Sequence, residues 1–431
     1  MPLKATKASF VTKLCGTRPQ RHVPPSDVDP SAWASFVDFA NHLQRAPRGA
    51  VDKEHVVDLI SQAAKMLLVE ALHNQTGVVF ACCDTCPVDG TAKDIESKAG
   101  EKRQAASMHA NIHGRDSSRP TPMQKTKTMQ AILSVGVNKT RLCAHLVSEL
   151  QHLLNAPGDR HAGISKVFVL NSKGPKTCEV LTPGPESVWT CEDGPADLCF
   201  PCVEADQLLL SALKWWLQRA MSEGGMAVCD DADVGVARPC HTDAISNGKI
   251  VTLLRGPKKE TRRRINVGEV KKRFRNKFAD PAHGELLPSA AVGFHTLTGC
   301  DVTPCWHGKS KPTLWDIVEE LVLTAAGRKL IAAMAQLGDL GGNPGDVPAD
   351  LWAQLQELAC KTCKDERSTT CDQSRGTKTK DGKQPSDWKR LMFTSNTFYQ
   401  QVKRADHVTN ASTPPSFNVR CASRLPIETP T

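Results

Sequence analysis

Short apolar segments that each run into a carboxylate constrain this chain more than any other feature. Ser35–Phe39 contains Asp38 at its end, Val78–Cys83 leads to Asp84, and Met226–Cys229 leads to Asp230, Asp231 and Asp233. Apolar runs this short, bounded by polar or glycine-containing sequence, are predicted to be buried strands. Between the first two lies Val51–Leu72, where Val56, Leu59, Ile60, Ala63 and Leu67 recur at helical spacing. Strand, helix and strand in succession predict a parallel sheet, because the connection between parallel neighbours is long enough to hold a helix. Parallel strands deliver their C-terminal ends to one edge, where ligands bind. The acids are therefore expected along that edge.

The rest of the chain divides by pattern. Residues 85–130 are polar and rich in Lys, Arg, Gly and Ser, which predicts a flexible or arched segment. Arg141–Leu154 reads as a helix, with Leu142, Leu146, Leu150 and Leu153 on one face. Val167–Leu170 and Cys178–Leu181 read as a hairpin, and 182–198 as a loop of Pro, Gly and acids. Ala205–Ala220 is a strong helix ended by Gly224-Gly225, and Trp215 and Trp216 are expected to pack on the sheet. Lys249–Leu254 reads as a strand and Leu314–Met334 as one helix. Residues 337–350 read as a linker, 364–388 as a mobile segment and Asn396–Asp406 as a last helix.

Length and charge limit the partners. A chain of 431 residues that is 40% hydrophobic suits one large α/β domain or two smaller ones with a sizeable core. Aromatic residues make up only 5%, with Tyr399 the single tyrosine, so backbone and shape recognition are expected over base stacking. The 55 Lys and Arg exceed the 46 acids, giving +9, which suits a phosphate-rich partner. Much of the surplus falls in one stretch from Lys258 to Lys277. It reads equally as a nucleic-acid contact, a nuclear import signal or a solvated face. Many of the 17 cysteines, such as Cys82, Cys83, Cys229 and Cys300, lie in apolar runs, which predicts buried thiols in a reducing compartment. The opening MPLKATKASF lacks the apolar core of a secretory signal, and no apolar run approaches a membrane span. An intracellular protein with no membrane partner is expected.

A single acid after a strand is usually a cap or turn residue. Pairs are different. Glu204 with Asp206, and Asp231 with Asp233, stand two residues apart beside predicted buried elements. Carboxylates so close repel and raise each other's pKa unless a cation neutralises them. Mg²⁺ and Mn²⁺ prefer such hard oxygen ligands. Two of these ions together activate a water and stabilise the leaving oxygen of a phosphodiester.

Several phrases carry a family likeness: Phe294-His295-Thr296-Leu297-Thr298-Gly299-Cys300-Asp301-Val302-Thr303, Glu204-Ala205-Asp206, and Cys229-Asp230-Asp231-Ala232-Asp233-Val234. On these the chain resembles the flap-endonuclease/XPG branch of the PIN-like nucleases. It looks closer still to transposon- and virus-associated eukaryotic proteins that carry an LTGCD motif. The likeness runs from about residue 30 to 335, and Phe36-Val37-Asp38-Phe39-Ala40 matches the N-terminal acid of such nucleases. The resemblance implies an α/β fold, a PIN-like parallel sheet flanked by helices, with an arch-like helical insertion and a helical C-terminal region. Residues 1–30 would be a basic N-terminal segment and 31–335 the nuclease domain. Within that domain the arch would occupy about 85–200 and a helix-turn-helix-like element about 299–335, leaving 336–431 as a partly disordered extension. The implied site holds two Mg²⁺ or Mn²⁺ ions. Asp38, Asp84, Glu204 and Asp206 would lie nearer one ion, and Asp231, Asp233 and Asp301 nearer the other. Lys93 and Lys98 would hold the scissile phosphate as point charges, with Lys102 and Arg103 also touching nucleic acid. Gly308, Lys309 and Lys311 would bind backbone phosphate at a helix N-terminus, with K⁺ expected near Gly308.

The chain also departs from that family. The element after Asp301 has one glycine where the family has two, and Phe39 and His42 stand where the family has stacking aromatics. Gly308-Lys309-Ser310 is not a P-loop, because Thr303 occupies the position of its first glycine. Cys199–Cys202 and Cys360–Cys363 have CxxC spacing, the second with Cys371 and Cys421 further on, but no clear second pair completes a site and zinc is not expected. The expected activity is structure-selective cleavage of DNA in the nucleus by a monomer. RNA as substrate, or a non-catalytic nucleic-acid scaffold on the same fold, are the alternatives.

Overall fold

A computed structural model describes residues 10–14, 29–45, 56–84, 136–157, 161–200, 205–228, 249–255, 263–299, 310–337, 347–362, 365, 367–380 and 394–412. The chain forms two compact units. One comprises Pro19–Asp230 and Ile245–Asn266, and the other Met1–Arg18, Asp231–Ala244 and Val267–Thr431.

The first unit is built on a mixed sheet flanked by helices. Its strands are β1 (Trp33–Asp38), β2 (Val78–Cys82), β3 (Lys166–Leu170), β4 (Cys178–Pro183), β5 (Trp189–Asp193), β6 (Gly224–Val228), β7 (Ile250–Arg255) and β8 (Arg263–Asn266). They lie in the order β5-β4-β3-β2-β1-β6-β7-β8. From β3 to β7 every pairing is parallel, while β4, β5 and β8 are antiparallel to their neighbours. The parallel strands β1, β2 and β6 are apolar and buried almost end to end, as sheets covered on both faces require.

Helices of this unit are α1 (Phe39–Arg45), α2 (Val56–His73), α3 (Gly136–Leu154) and α4 (Ala205–Leu217). Side chains alternate along each strand, so each face has its own partner. Val37, Val79, Ala81, Val167 and Val169 share one apolar cluster with Leu67 and Leu68 of α2 and Leu146 and Leu150 of α3. On the other face Phe36, Phe80 and Phe168 sit side by side across three strands, with successive ring centroids 4.6 Å apart. Trp215 and Trp216 of α4 meet Phe80 edge-on, the sheet-packing role expected for them. Gly225 lies inside β6 rather than ending the helix before it. A Cβ there would come within 2.6 Å of Leu213 and 3.0 Å of Phe36, so the strand needs a glycine where α4 presses on it. The expected loop at 182–198 contains β5, an edge strand in which only Trp189 is buried.

The second unit contains α5 (Val267–Arg275), α6 (Pro281–Leu297), α7 (Lys311–Leu321), α8 (Ala325–Ala335), α9 (Ala349–Thr362), α10 (Cys371–Lys380) and α11 (Ser395–Ser412). Helix α6 packs against α5, α8 and α11. It starts on the Asp280 cap, whose side chain accepts from Ala282 N at 2.9 Å, with Pro281 in its first turn. At Gly293 it approaches α8 so closely that a Cβ would lie 2.1 Å from the Met334 carbonyl oxygen. The single helix expected over Leu314–Met334 is two helices. Thr324 is extended and caps α8 by accepting from Gly327 N at 3.0 Å. The described part of the basic stretch forms β8 and α5, and α10 falls within the segment expected to be mobile.

A helical turn at residues 10–14 completes this unit's core. Phe10 is fully buried, 5.0 Å from the Phe294 ring and 5.3 Å from Trp315, which itself lies 5.0 Å from Phe294. Truncating a buried aromatic removes transfer free energy and leaves a cavity. Phe10→Ala should therefore lower unfolding free energy by about 3–5 kcal/mol, read by urea denaturation. A loss below about 1 kcal/mol would show that the turn is not an integral part of this core.

Candidate functional site

The strand order reverses at β1: the chain moves from β1 to β2 and β3 on one side, then returns to β6 and β7 on the other. In open α/β sheets the crevice beyond the carboxyl ends of strands at such a switch point is the usual binding place. Asp38 is the last residue of β1. It pairs in register with Cys82 of β2, and Val37 before it pairs with Val228, the last residue of β6. By alternation Asp38 lies on the same side of the strand as Phe36, the α4 face. Asp84 follows β2 by two residues.

Asp84 has a defined task. Its Oδ1 accepts a 2.7 Å hydrogen bond from Ala205 N, the first residue of α4. The first N–H groups of a helix lack intrahelical partners and carry partial positive charge, so a carboxylate satisfies both needs. This contact fixes the N-terminal end of α4 beside the end of β2. Asp206 is the next residue, half-buried in the first turn of α4. Asp38, Asp84 and Asp206 thus belong to one end of the sheet unit.

The buried packing of this unit also contains polar contacts. His42 and Glu70 are both buried, with Nε2 and Oε2 2.9 Å apart, joining α1 to α2. Phe39 is buried in the same cluster. Neither Phe39 nor His42 is presented as a platform for a base. Cys83 and Cys143 are buried where α3 meets the end of β2, and the Cys143 thiol points at the Asp84 carbonyl at 4.0 Å. Burial, then the hydrogen bond with Cys143, pushes the Cys83 thiol well above its usual range. Cys178 is pushed up to about 12, chiefly by burial, so both thiols stay protonated and unreactive near neutral pH.

Lys311 is placed differently from the surface role expected of it. It is 3% exposed, and its Nζ donates to the His295 carbonyl oxygen and, at 3.0 Å, to His295 Nδ1. An ammonium held inward in this way is not presented to a backbone phosphate. Glu204, Asp231, Asp233, Asp301, Lys93, Lys98, Lys102, Arg103, Gly308 and Lys309 lie outside the described residues. Among the described residues no group of three or more His, Cys, Asp or Glu side chains is placed to hold a metal ion. The candidate donor set is nevertheless all carboxylate, the chemistry that Mg²⁺ and Mn²⁺ prefer. Of the CxxC residues, Cys199 and Cys360 are described and are thiols rather than disulfides, as is the buried Cys371. Cys202, Cys363 and Cys421 lie outside the described residues. Among the described residues no helix is long and apolar enough to cross a membrane.

Sequence reasoning missed the cap made by Asp84, the His42–Glu70 contact and the inward turn of Lys311. Only the first had a signal: an acid ending one strand, and a strong helix with no capping residue at its own start other than Glu204.

The cap separates two properties of Asp84. Asp84→Ala should cost about 1 kcal/mol of stability, while Asp84→Asn, which keeps an acceptor oxygen, should retain most of it. Urea denaturation followed by circular dichroism reads both, and an unchanged Asp84→Ala would remove the capping role. Neither a family model nor a curated protein matches the chain.

Proposed function

We propose that this chain is a metal-dependent phosphodiesterase that cleaves nucleic acid, in the manner of structure-selective flap nucleases acting on DNA. The observation that carries the reading is the placement of Asp38 and Asp84 at the C-terminal ends of adjacent parallel strands at the switch point, with Asp206 on the helix that Asp84 caps. The likeness of the phrases that contain Glu204 and Asp206, Asp231 and Asp233, and Asp301 extends the set to seven acids.

In this reading Asp38, Asp84, Glu204 and Asp206 hold one divalent ion, and Asp231, Asp233 and Asp301 hold the other. When bound, the two ions supply an activated water and charge stabilisation of the leaving oxygen. The chain's own part is to fix the carboxylates and orient the phosphate. Register pairing of β1 with β2 and β6 fixes Asp38, and the Ala205 N–H fixes Asp84. Lys93 and Lys98 orient the scissile phosphate, with Lys102 and Arg103 also touching nucleic acid. Gly308 and Lys309, with K⁺, grip the backbone; Lys311 has no part in that grip. The +9 charge supports a polyanionic partner, and the basic run that begins at Lys258 supports a nuclear location.

Substituting Asp by Asn keeps size and removes charge. Asp38→Asn, Asp231→Asn and Asp301→Asn should each lower cleavage of a flap oligonucleotide by about 100-fold or more, the scale on which losing one charge-stabilising group acts. Circular dichroism should show the fold intact. Undiminished cleavage by Asp231→Asn and Asp301→Asn together would sink the reading. Digestion of flap DNA beside messenger-like RNA under the same Mn²⁺ concentration identifies the substrate, and preferential loss of the RNA would move the assignment to an RNA endonuclease.

A further inference from the structure

A cleft of about 650 Å³ opens in the second unit. Its walls come from three places: Lys13 of the N-terminal turn, Arg273, Asn276 and Lys277 at and just past the end of α5, and Asp316 and Glu319 of α7. The volume falls within the usual range of ligand pockets, about 300–1,000 Å³, and far exceeds what one ion needs. None of these groups belongs to the carboxylate set of the sheet unit.

Three cations face two carboxylates here, and both carboxylates are already matched. Glu319 accepts from Trp315 Nε1 at 3.0 Å and from Lys277 Nζ at 2.5 Å. Asp316 accepts from Lys13 Nζ. Arg273 has no acid partner among the described residues. Its Nη2 donates to the Leu14 carbonyl and, at 3.5 Å, to the Lys13 carbonyl. A guanidinium has five donors, and among the described residues its Nε and Nη1 donate to none. The carbonyl contacts hold it in place, so an arriving acceptor meets a charge that is already oriented. The two lysine pairs are partly exposed, and such pairs contribute little in water, so either ammonium can be shared with an incoming anion. The dipole of α5 favours cations in its last turn. It does not account for Lys13, which the N-terminal turn brings to Arg273 from 260 positions away.

We propose that this cleft binds the phosphate group of a nucleotide or a nucleic-acid strand. Arg273 supplies charge-assisted donors to the phosphate oxygens, and Lys13 and Lys277 flank it as point charges. Donors from separate elements suit a tetrahedral group with several oxygens better than a planar carboxylate with two. Lys13 has a second task, because it neutralises Asp316, which would otherwise repel the anion. The amide of Asn276 offers a donor and an acceptor to the sugar or base, for which the cleft has room. The site goes beyond the nuclease reading and does not depend on it.

The test is calorimetric titration of the full-length protein in EDTA, where divalent ions are absent and no cleavage intervenes, with thermal unfolding measured in parallel. The probes are inorganic phosphate, thymidine 5′-monophosphate and a single-stranded oligonucleotide. Wild type should bind the monophosphate. R273M and K277M should each bind it about 10–100-fold more weakly, the scale of losing one hydrogen bond to a charged group. K272M removes an exposed cation of the same helix that does not line the cleft, and should bind as wild type does. Inorganic phosphate held as tightly as the nucleotide would assign the site to free phosphate. Tighter nucleotide assigns it to nucleotides, and oligonucleotide tighter still assigns it to a strand. If R273M does not fold, K277M decides: weakened binding supports the proposal and wild-type affinity overturns it. Failure of wild type to bind any of the three probes also overturns it. So does a K272M as weak as R273M, because the attraction would then be diffuse surface charge and not a built site.

Discussion

The in-register pairing of β1 between β2 and β6 is the constraint on which the sheet unit depends. It aligns Phe36 with Phe80, and through β3 with Phe168, so one face carries a ladder of rings for α4 to cover. It aligns Val37 with Ala81, and through β3 with Val169, so the other face carries small branched side chains for α2 and α3. A slip of one residue would exchange the two faces and place an aromatic where the α2–α3 layer has room for a valine. The same register sets where each strand stops, and therefore which acids stand beyond the edge.

Elements with a clear period were legible in the sequence, and those without one were not. The central strands and the helices α2, α3 and α4 have apolar spacings that match their burial. Strand β5 has no apolar run, because it is an edge strand with one buried residue. Helix α6 has no polar stripe to reveal its period: Leu287, Pro288, Ala290 and every residue from Ala291 to Leu297 are buried, and Gly284, Pro288 and Gly293 are residues that ordinarily weaken a helix. Tertiary packing overrides that preference, since α5 and α8 approach at those glycines too closely for a side chain. The break between α7 and α8 was hidden for the opposite reason: apolar spacing continues across it, and only the Thr324 cap marks the stop.

The candidate site was legible to the extent that strand ends are. Asp38 and Asp84 were placed by the ends of apolar runs, and both stand where those strands finish. What sequence does not carry is the partner of each charge. The hydrogen bond from Ala205 to Asp84 spans 121 positions, and no local pattern records it. Lys311 was misread for a related reason. In Gly308-Lys309-Ser310-Lys311 a glycine and two polar neighbours suggest a surface turn, whereas the side chain at 311 is drawn inward by the His295 carbonyl and ring nitrogen at the end of a helix that sequence had not revealed.

Asp84 and Lys311 answer the same electrostatic problem with opposite signs. A helix packed into a core brings its end groups with it, and those groups need partners that water no longer provides. At the start of α4 a carboxylate meets an N–H, and at the end of α6 an ammonium meets a C=O, each charge matched to the pole it faces. This is why residue type alone, read along the chain, assigned both of them to direct contact with ligand when the geometry gives each a structural task as well.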